Sequence, residues 1–188
     1  MQGHGGTIDI TTEGPGMNAA PIIVFAYNRP EHLKRTLDAL DHNSLSNESP
    51  LFIYCDGAKE DASEEQIQRI ENVRHIAHSI DGFKEIRIVE RERNYGLADN
   101  IVDAVTRTVN EFGRVITLED DVVASPGFLR YMNDALETYQ HEDKVMHISA
   151  YMYPHKGRLP ETFFFPVPYP GGGWATWARA WKYYNDDT

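Results

Sequence analysis

Residues 114–123 read RVITLEDDVV, and this stretch decides how the rest of the chain is understood. Val115, Ile116, Thr117 and Leu118 have strand character and run directly into three consecutive carboxylates, Glu119, Asp120 and Asp121, before Val122 and Val123 return the chain to apolar character. The flanking apolar residues hold the acidic turn against the body of a domain. Ligands of open α/β sheets bind at the carboxyl ends of buried strands. Hard carboxylate oxygens at such a place suit Mg²⁺ or Mn²⁺, which takes one or two carboxylates and completes its shell with substrate phosphates and water. The stretch therefore reads as a metal-diphosphate site, with an ordinary solvated acidic turn as the alternative.

The flanking sequence supplies a sheet for this strand. Residues 21–27, PIIVFAY, form a continuous apolar run of the kind expected of a strand buried on both faces. They end at Asn28-Arg29-Pro30, where Pro30 suits a first helical turn and Leu33, Leu37 and Leu40 recur at helical spacing. A second strand, 51–55, closes on Asp56-Gly57, and a helix over 62–79 follows, with Ile67, Ile70, Val73, Ile76 and Ala77 along one face. A third strand over 85–89 leads to Arg91, Arg93 and Asn94, then to a helix beginning near Leu97 and stopped by Gly113. Beyond the acids, the pattern predicts a helix opened by Ser125-Pro126, strands over 145–150 and 162–167, and a helical segment over 177–184. Alternating strands and helices imply an α/β fold with a mostly parallel sheet flanked by helices.

Composition narrows the function. The chain has 188 residues, enough for one domain with a real core. Its formal net charge is -11 and no run of Lys or Arg occurs, which argues against nucleic acid as a partner. An anionic substrate would need a cation or a few local bases to receive it. Cys55 is the single cysteine, so neither an intrachain disulfide nor a Cys-rich zinc site is available, and a reducing, cytoplasmic setting is expected. No apolar run reaches the roughly 20 residues of a transmembrane helix, although peripheral contact with a membrane stays open. Residues 1–16 hold five of the fourteen glycines and no Lys or Arg, and read as a leader ahead of a domain over 17–188.

The predicted strand ends bring polar residues to one edge: Asn28 and Arg29, then Asp56, then Arg91, Arg93 and Asn94, then the three acids. A nucleoside diphosphate could be received there, with Asp56 accepting from a base N–H, Glu119 or Asp120 from ribose hydroxyls, Asp121 on the metal and an arginine near phosphate. Simpler readings compete: Arg29 pairing with Glu31 or Asp38 on the helix surface, and Asp56-Gly57 as a plain turn. No GxGxxG, P-loop or GxSxG is present. His75 and His78 lack a third ligand and read as surface residues. Gly171, Gly172 and Gly173 permit close approach of a ligand, and Trp174, less so Trp177, offers a flat face for a sugar ring. The alternative for both tryptophans is the core.

The order strand-Asn-Arg-Pro, strand-Cys-Asp-Gly, Arg-Asn-Tyr-Gly-Leu-Ala-Asp-Asn, Glu-Asp-Asp and Pro-Gly-Gly-Gly-Trp resembles the GT-A glycosyltransferases, especially the family-2 type and the N-acetylglucosaminyltransferase I type. The resemblance runs from about Pro21 to Trp181. It implies a GT-A, Rossmann-like fold and transfer of a sugar from a nucleotide-sugar, commonly UDP-linked, to a glycan or other hydroxyl acceptor, with inversion. It also implies Mn²⁺ or Mg²⁺ bridging Asp121, in a DXD motif of EDD form, and the diphosphate. By the same matching, Arg29 and Asp56 meet the nucleotide, Glu119 and Asp120 the ribose and sugar, Asn100 the donor, and the loop carrying Gly173 and Trp174 borders the acceptor. The general base of such enzymes lies well after the Pro-Gly-x-Gly-Trp loop; here Asp186 and Asp187 come five and six residues after Trp181, which is early. A shortened domain that binds donor is the corresponding expectation. A sugar nucleotidyltransferase is the competing enzyme class, but FAYNRPEH lacks that class's glycine-rich loop. A nucleotide-sugar-binding module without turnover is the third reading.

Overall fold

The computed structural model describes residues 18–151, 156–158 and 171–185. The first strand, β1 (Ile22–Ala26), is buried at every position, as its unbroken apolar run requires of a strand covered on both faces. Helix α1 (Pro30–Asp41) starts on its proline and turns Leu33, Leu37 and Leu40 inward. After a short 3₁₀ turn at Ser46–Glu48 comes β2 (Pro50–Cys55). Helix α2 (Glu64–Ser79) begins two residues later than the apolar spacing suggests, because Ser63 and Gln66 form a reciprocal capping box that fixes the start. Strand β3 (Glu85–Glu90) and helix α3 (Leu97–Phe112) follow, the latter ending at Gly113. Strand β4 (Arg114–Glu119) then delivers the acids.

Past β4 the expected elements shift. Helix α4 (Phe128–Thr138) starts after the Ser125-Pro126 pair, which instead makes a turn closed by the Phe128 amide on the Ser125 carbonyl at 3.0 Å. The strand expected over 145–150 is reduced to β5 (Ile148–Ser149). The segment expected to be helical from Trp177 is mostly otherwise: β6 (Trp174–Trp177) is a strand, and only α5 (Ala178–Trp181) is helical. The expected strand over 162–167 lies outside the described residues.

The six strands form one sheet in the order β3-β2-β1-β4-β6-β5. The first four are parallel, β6 runs antiparallel to β4, and β5 antiparallel to β6. One face packs against α1, α2 and α4 through Ile22, Val24, Leu37, Val73 and Leu129. The other packs against α3 and α5 through Ile23, Phe25, Val105 and Val109. Among the described residues no helix is long and apolar enough to cross a membrane.

Trp177 belongs to the core. It is 4% exposed, and its indole N–H donates to the Leu136 carbonyl at 3.1 Å. Removing that side chain opens a large cavity and leaves a buried carbonyl without its donor. Trp177→Ala is therefore expected to cost about 3–5 kcal/mol, read as a lower urea midpoint with an unchanged slope.

Candidate functional site

From β1 the chain winds outward through β2 and β3, then returns past β1 to place β4 on its other side. The helix after β1 packs on one face of the sheet and the helix before β4 on the opposite face. A crevice opens at such a reversal, outside the strand ends, and it is where open α/β sheets take ligands. In this chain the reversal brings the end of β1, Tyr27-Asn28-Arg29, beside the end of β4, Glu119-Asp120-Asp121, with Phe25 and Glu119 in register.

Asp120 is the anchor of the crevice. It is 1% exposed, its backbone carbonyl accepts from the Thr36 hydroxyl of α1 at 2.8 Å, and its Oδ2 accepts from the Tyr27 amide at 3.4 Å. Arg29 Nη2 lies 2.5 Å from Asp120 Oδ1, a charge contact without hydrogen-bond alignment. The same guanidinium donates from Nη1 to Asp121 Oδ2 at 2.8 Å. Arg29 thus spans two acids more than 90 positions away, and the local pairing with Glu31 or Asp38 does not occur; Asp38 is taken by Lys34 at 2.7 Å. Burial works against the charge on Arg29, but Asp120 and Asp121 outweigh it and raise its pKa. Burial also raises the pKa of Asp120, with Arg29 opposing. Glu119 is half-buried and likewise raised, first by desolvation and then by repulsion from Asp121. The Asp121 side chain, 43% exposed, is the one acid of the three that opens to solvent.

The other expected residues gather next to this crevice in a different role. All the acceptor capacity of the Asp56 carboxylate is used within the protein. Oδ1 accepts from the Gly57 and Tyr95 amides at 2.9 and 2.8 Å, and Oδ2 from the Gly96 amide and Asn94 Nδ2 at 3.0 Å each. A carboxylate has about four such positions, and in this structure Asp56 uses them to clamp the 94–96 loop. Gly57 makes that clamp feasible: a Cβ there would sit 2.5–2.7 Å from the Arg93 backbone. Asn94 also donates to the Gly57 carbonyl at 3.0 Å. Asn100 is buried, donates to the Gly96 carbonyl at 3.1 Å and accepts from Arg91 Nε at 3.0 Å, so it too shapes the loop. Arg91 lies over the Tyr54 and Tyr95 rings and pairs with Asp103, and Arg93 lies over Tyr95 from 5.5 Å. A cleft of about 520 Å³ opens here, lined by Arg93, Asn94, Tyr95, Asp99, Asp103 and Arg107 among others, and none of the three acids lines it.

The glycine and tryptophan segment is also used differently from the expectation. Gly173 is buried with φ 86°, and a Cβ on it would press on the Phe128 ring at 3.0 Å, so close packing and backbone conformation both call for glycine there. The Trp174 ring is flanked by His147 at 5.5 Å and Trp181 at 6.1 Å, both roughly parallel to it. It is part of an aromatic stack and not a bare platform. His147 carries no sequence signal for this position. Burial pushes its pKa down to about 4. Asn28 is half-buried in the turn after β1. Asp186 and Asp187 lie outside the described residues. His75 and His78 are exposed on α2, as expected.

The family model described as GNT-I matches residues 6–185. The chain belongs to the GNT-I family. Within this GNT-I relationship, it is 24% identical over 179 residues to the alpha-1,3-mannosyl-glycoprotein 2-beta-N-acetylglucosaminyltransferase of Arabidopsis thaliana, covering 90% of this chain and 40% of the relative. The chain therefore spans about 40% of that relative's length. Among solved structures, the mannosyltransferase PcManGT of Pyrobaculum calidifontis, in complex with GDP-Man and Mn²⁺, aligns at a TM-score of 0.47 with 14% identity over 75% of this chain and 40% of that one. TarS of S. aureus aligns at 0.45 with 16% identity over 78% and 24%.

Two outcomes follow. Asp56→Ala leaves one buried and two partly buried backbone amides without their acceptor and should cost about 2–3 kcal/mol, since hydrogen bonds to charged groups are the stronger ones; urea unfolding reads this. For His147 the folded pKa is depressed, so its contribution to stability is present above the unfolded value near 6.5 and is lost as pH falls toward about 4. Stability should fall across that window by no more than about 1.4 kcal/mol per pH unit from this group, and His147→Phe should flatten the slope.

Proposed function

We propose that this GNT-I family chain forms the donor-binding part of a metal-dependent glycosyltransferase. It moves a sugar from a UDP-linked donor to an acceptor hydroxyl with inversion at the anomeric carbon. The observation that carries the reading is the meeting of Arg29, Glu119, Asp120 and Asp121 in the crevice between the ends of β1 and β4. N-acetylglucosamine is the first sugar to test, because the Arabidopsis thaliana relative is named for its transfer.

The donor set fits a divalent cation that completes its shell with substrate. Asp121 is a hard oxygen ligand open to solvent, and Mg²⁺ or Mn²⁺ commonly binds through one or two carboxylates together with phosphates. Among the described residues no group of three or more His, Cys, Asp and Glu side chains converges into an all-protein cage. With a cation on Asp121, charge developing on the departing diphosphate would be neutralised. Arg29 faces the same crevice and suits a diphosphate oxygen, since a guanidinium binds phosphate by paired hydrogen bonds. Glu119, half-buried with a raised pKa, suits hydroxyls of the ribose or sugar. Asp56, Asn94 and Asn100 hold the 94–96 loop that borders the base end. Proton removal from the acceptor falls to a carboxylate, for which Asp186 and Asp187 are the candidates.

Thermal unfolding with UDP, with GDP and with neither, each in Mn²⁺ and in EDTA, tests the reading. At about 100 times its dissociation constant a ligand stabilises by roughly 2.7 kcal/mol, which for a chain of this size raises the midpoint by roughly 5–10 °C. The expected result is a UDP shift that requires Mn²⁺ and disappears in Asp121→Ala. No shift with either nucleotide in a folded protein would reduce the acids to a structural turn.

A further inference from the structure

The guanidinium that closes the crevice holds the same carboxylate that a cation would need. Arg29 bridges a buried partner and an exposed one: Asp120 at 1% exposure and Asp121 with a side chain 43% exposed. The two halves of this bridge differ in strength. In the contact with Asp120 only the guanidinium meets solvent, so that half is screened less, whereas the Asp121 half is exposed on both sides and of the kind that contributes little. Arg29 stands at the cap position of α1, where its carbonyl accepts from the Leu33 amide at 3.0 Å, while its guanidinium, a donor only, takes no part in capping. Its approach to the buried Asp120 Oδ1, at 2.5 Å, is an ion pair without hydrogen-bond alignment, so the pairing of Arg29 with Asp120 rests on charge.

We propose that Arg29 is a resident counter-ion of Asp121 that a divalent cation must displace, and that the donor diphosphate draws it away. Resting on the donor-site reading above, this makes cation and nucleotide bind cooperatively through one side chain. Without nucleotide, Arg29 stays on Asp121, and a cation gains the carboxylate only by expelling a positive charge into water. With nucleotide, the guanidinium pivots on Asp120, exchanges the Asp121 oxygen for a phosphate oxygen, and Asp121 is released to the metal. The device also offsets the mutual repulsion of three adjacent carboxylates, served by one guanidinium, while the crevice holds no donor.

The test is direct Mn²⁺ binding, read from the electron paramagnetic resonance of free Mn²⁺, on the full chain with and without UDP. It compares wild type, Arg29→Met, Arg29→Lys and Asp121→Asn, with thermal midpoints confirming that each is folded. Arg29→Met should bind Mn²⁺ alone on the order of fivefold tighter than wild type, the factor set by losing one exposed ion pair. The tightening of Mn²⁺ binding by UDP should shrink in this variant by about the same factor, the part that remains coming from the phosphates that complete the cation's shell. Arg29→Lys, which keeps the charge but cannot fork onto both acids, should fall between. Should Arg29→Met fail to fold because Asp120 is left buried without its partner, Arg29→Met combined with Asp120→Asn removes that charge and is measured in its place. Equal Mn²⁺ affinity in wild type and Arg29→Met, with UDP coupling retained, would overturn this role and leave the donor site standing. Absence of Mn²⁺ binding in every form, even with UDP, would overturn the donor site and this role together.

Discussion

A carboxylate with almost no contact with water must be paired or neutralised, and Asp120 meets that condition at the junction of β1 and β4. Its partners come from three places in the chain. The Tyr27 amide and Arg29 come from the end of β1, the Thr36 hydroxyl binds its carbonyl from α1, and its own strand carries it to the crevice. Together these contacts tie the acidic turn to the first βα unit. The two halves of the parallel sheet therefore meet at a charged joint, and Asp121, the next residue, is held at the crevice while remaining open to solvent.

A second charged joint lies one strand further out. Asp56 directly follows β2 as Asp120 directly follows β4, and it too is buried, but its partners are four donors from the protein, three of them backbone amides. The contrast explains a division of labour. The outer carboxylate is satisfied by fixed backbone dipoles and makes the 94–96 loop rigid. The inner one is held by a guanidinium that also serves a second, exposed carboxylate. At the β1–β4 crevice the protein's own pairing is incomplete, since Asp120 Oδ1 lacks a hydrogen-bond donor.

The β6 strand shows what the aromatic segment does. Trp174 and Trp177 point to opposite faces of the sheet, as alternation requires, so one joins the stack with His147 and Trp181 while the other fills the core under α4. The strand extends the sheet past β4 and covers what would otherwise be the open edge of the strand that carries the acids. An uncovered edge beside a ligand crevice would leave unpaired backbone groups next to the acids.

Read alone, the amino-acid sequence determined the alternating βα order, the burial of β1 and β4, the helical faces of α1 to α3 except at Ile67, which α2 leaves exposed in its first turn, and the placement of three acids at a strand end. These are local properties: apolar periods of two and 3.6 residues and a break in polarity at a known position. It also carried the family relationship, because the motifs occur in order along most of the chain. The tertiary structure decided what depended on contacts between distant residues. Arg29 could have paired along its own helix, and only the placement of β4 beside β1 turned it onto Asp120 and Asp121. Asp56 had the form of an open acceptor until the 94–96 loop folded over it and used every lone pair. Trp174 to Trp177 had no periodicity long enough to separate strand from helix, and its state was settled by the free edge of β4, 57 residues earlier at the Thr117 and Trp174 pair. Sequence pattern reports which groups must leave water, but the partner each one finds depends on which strand the fold lays next to it.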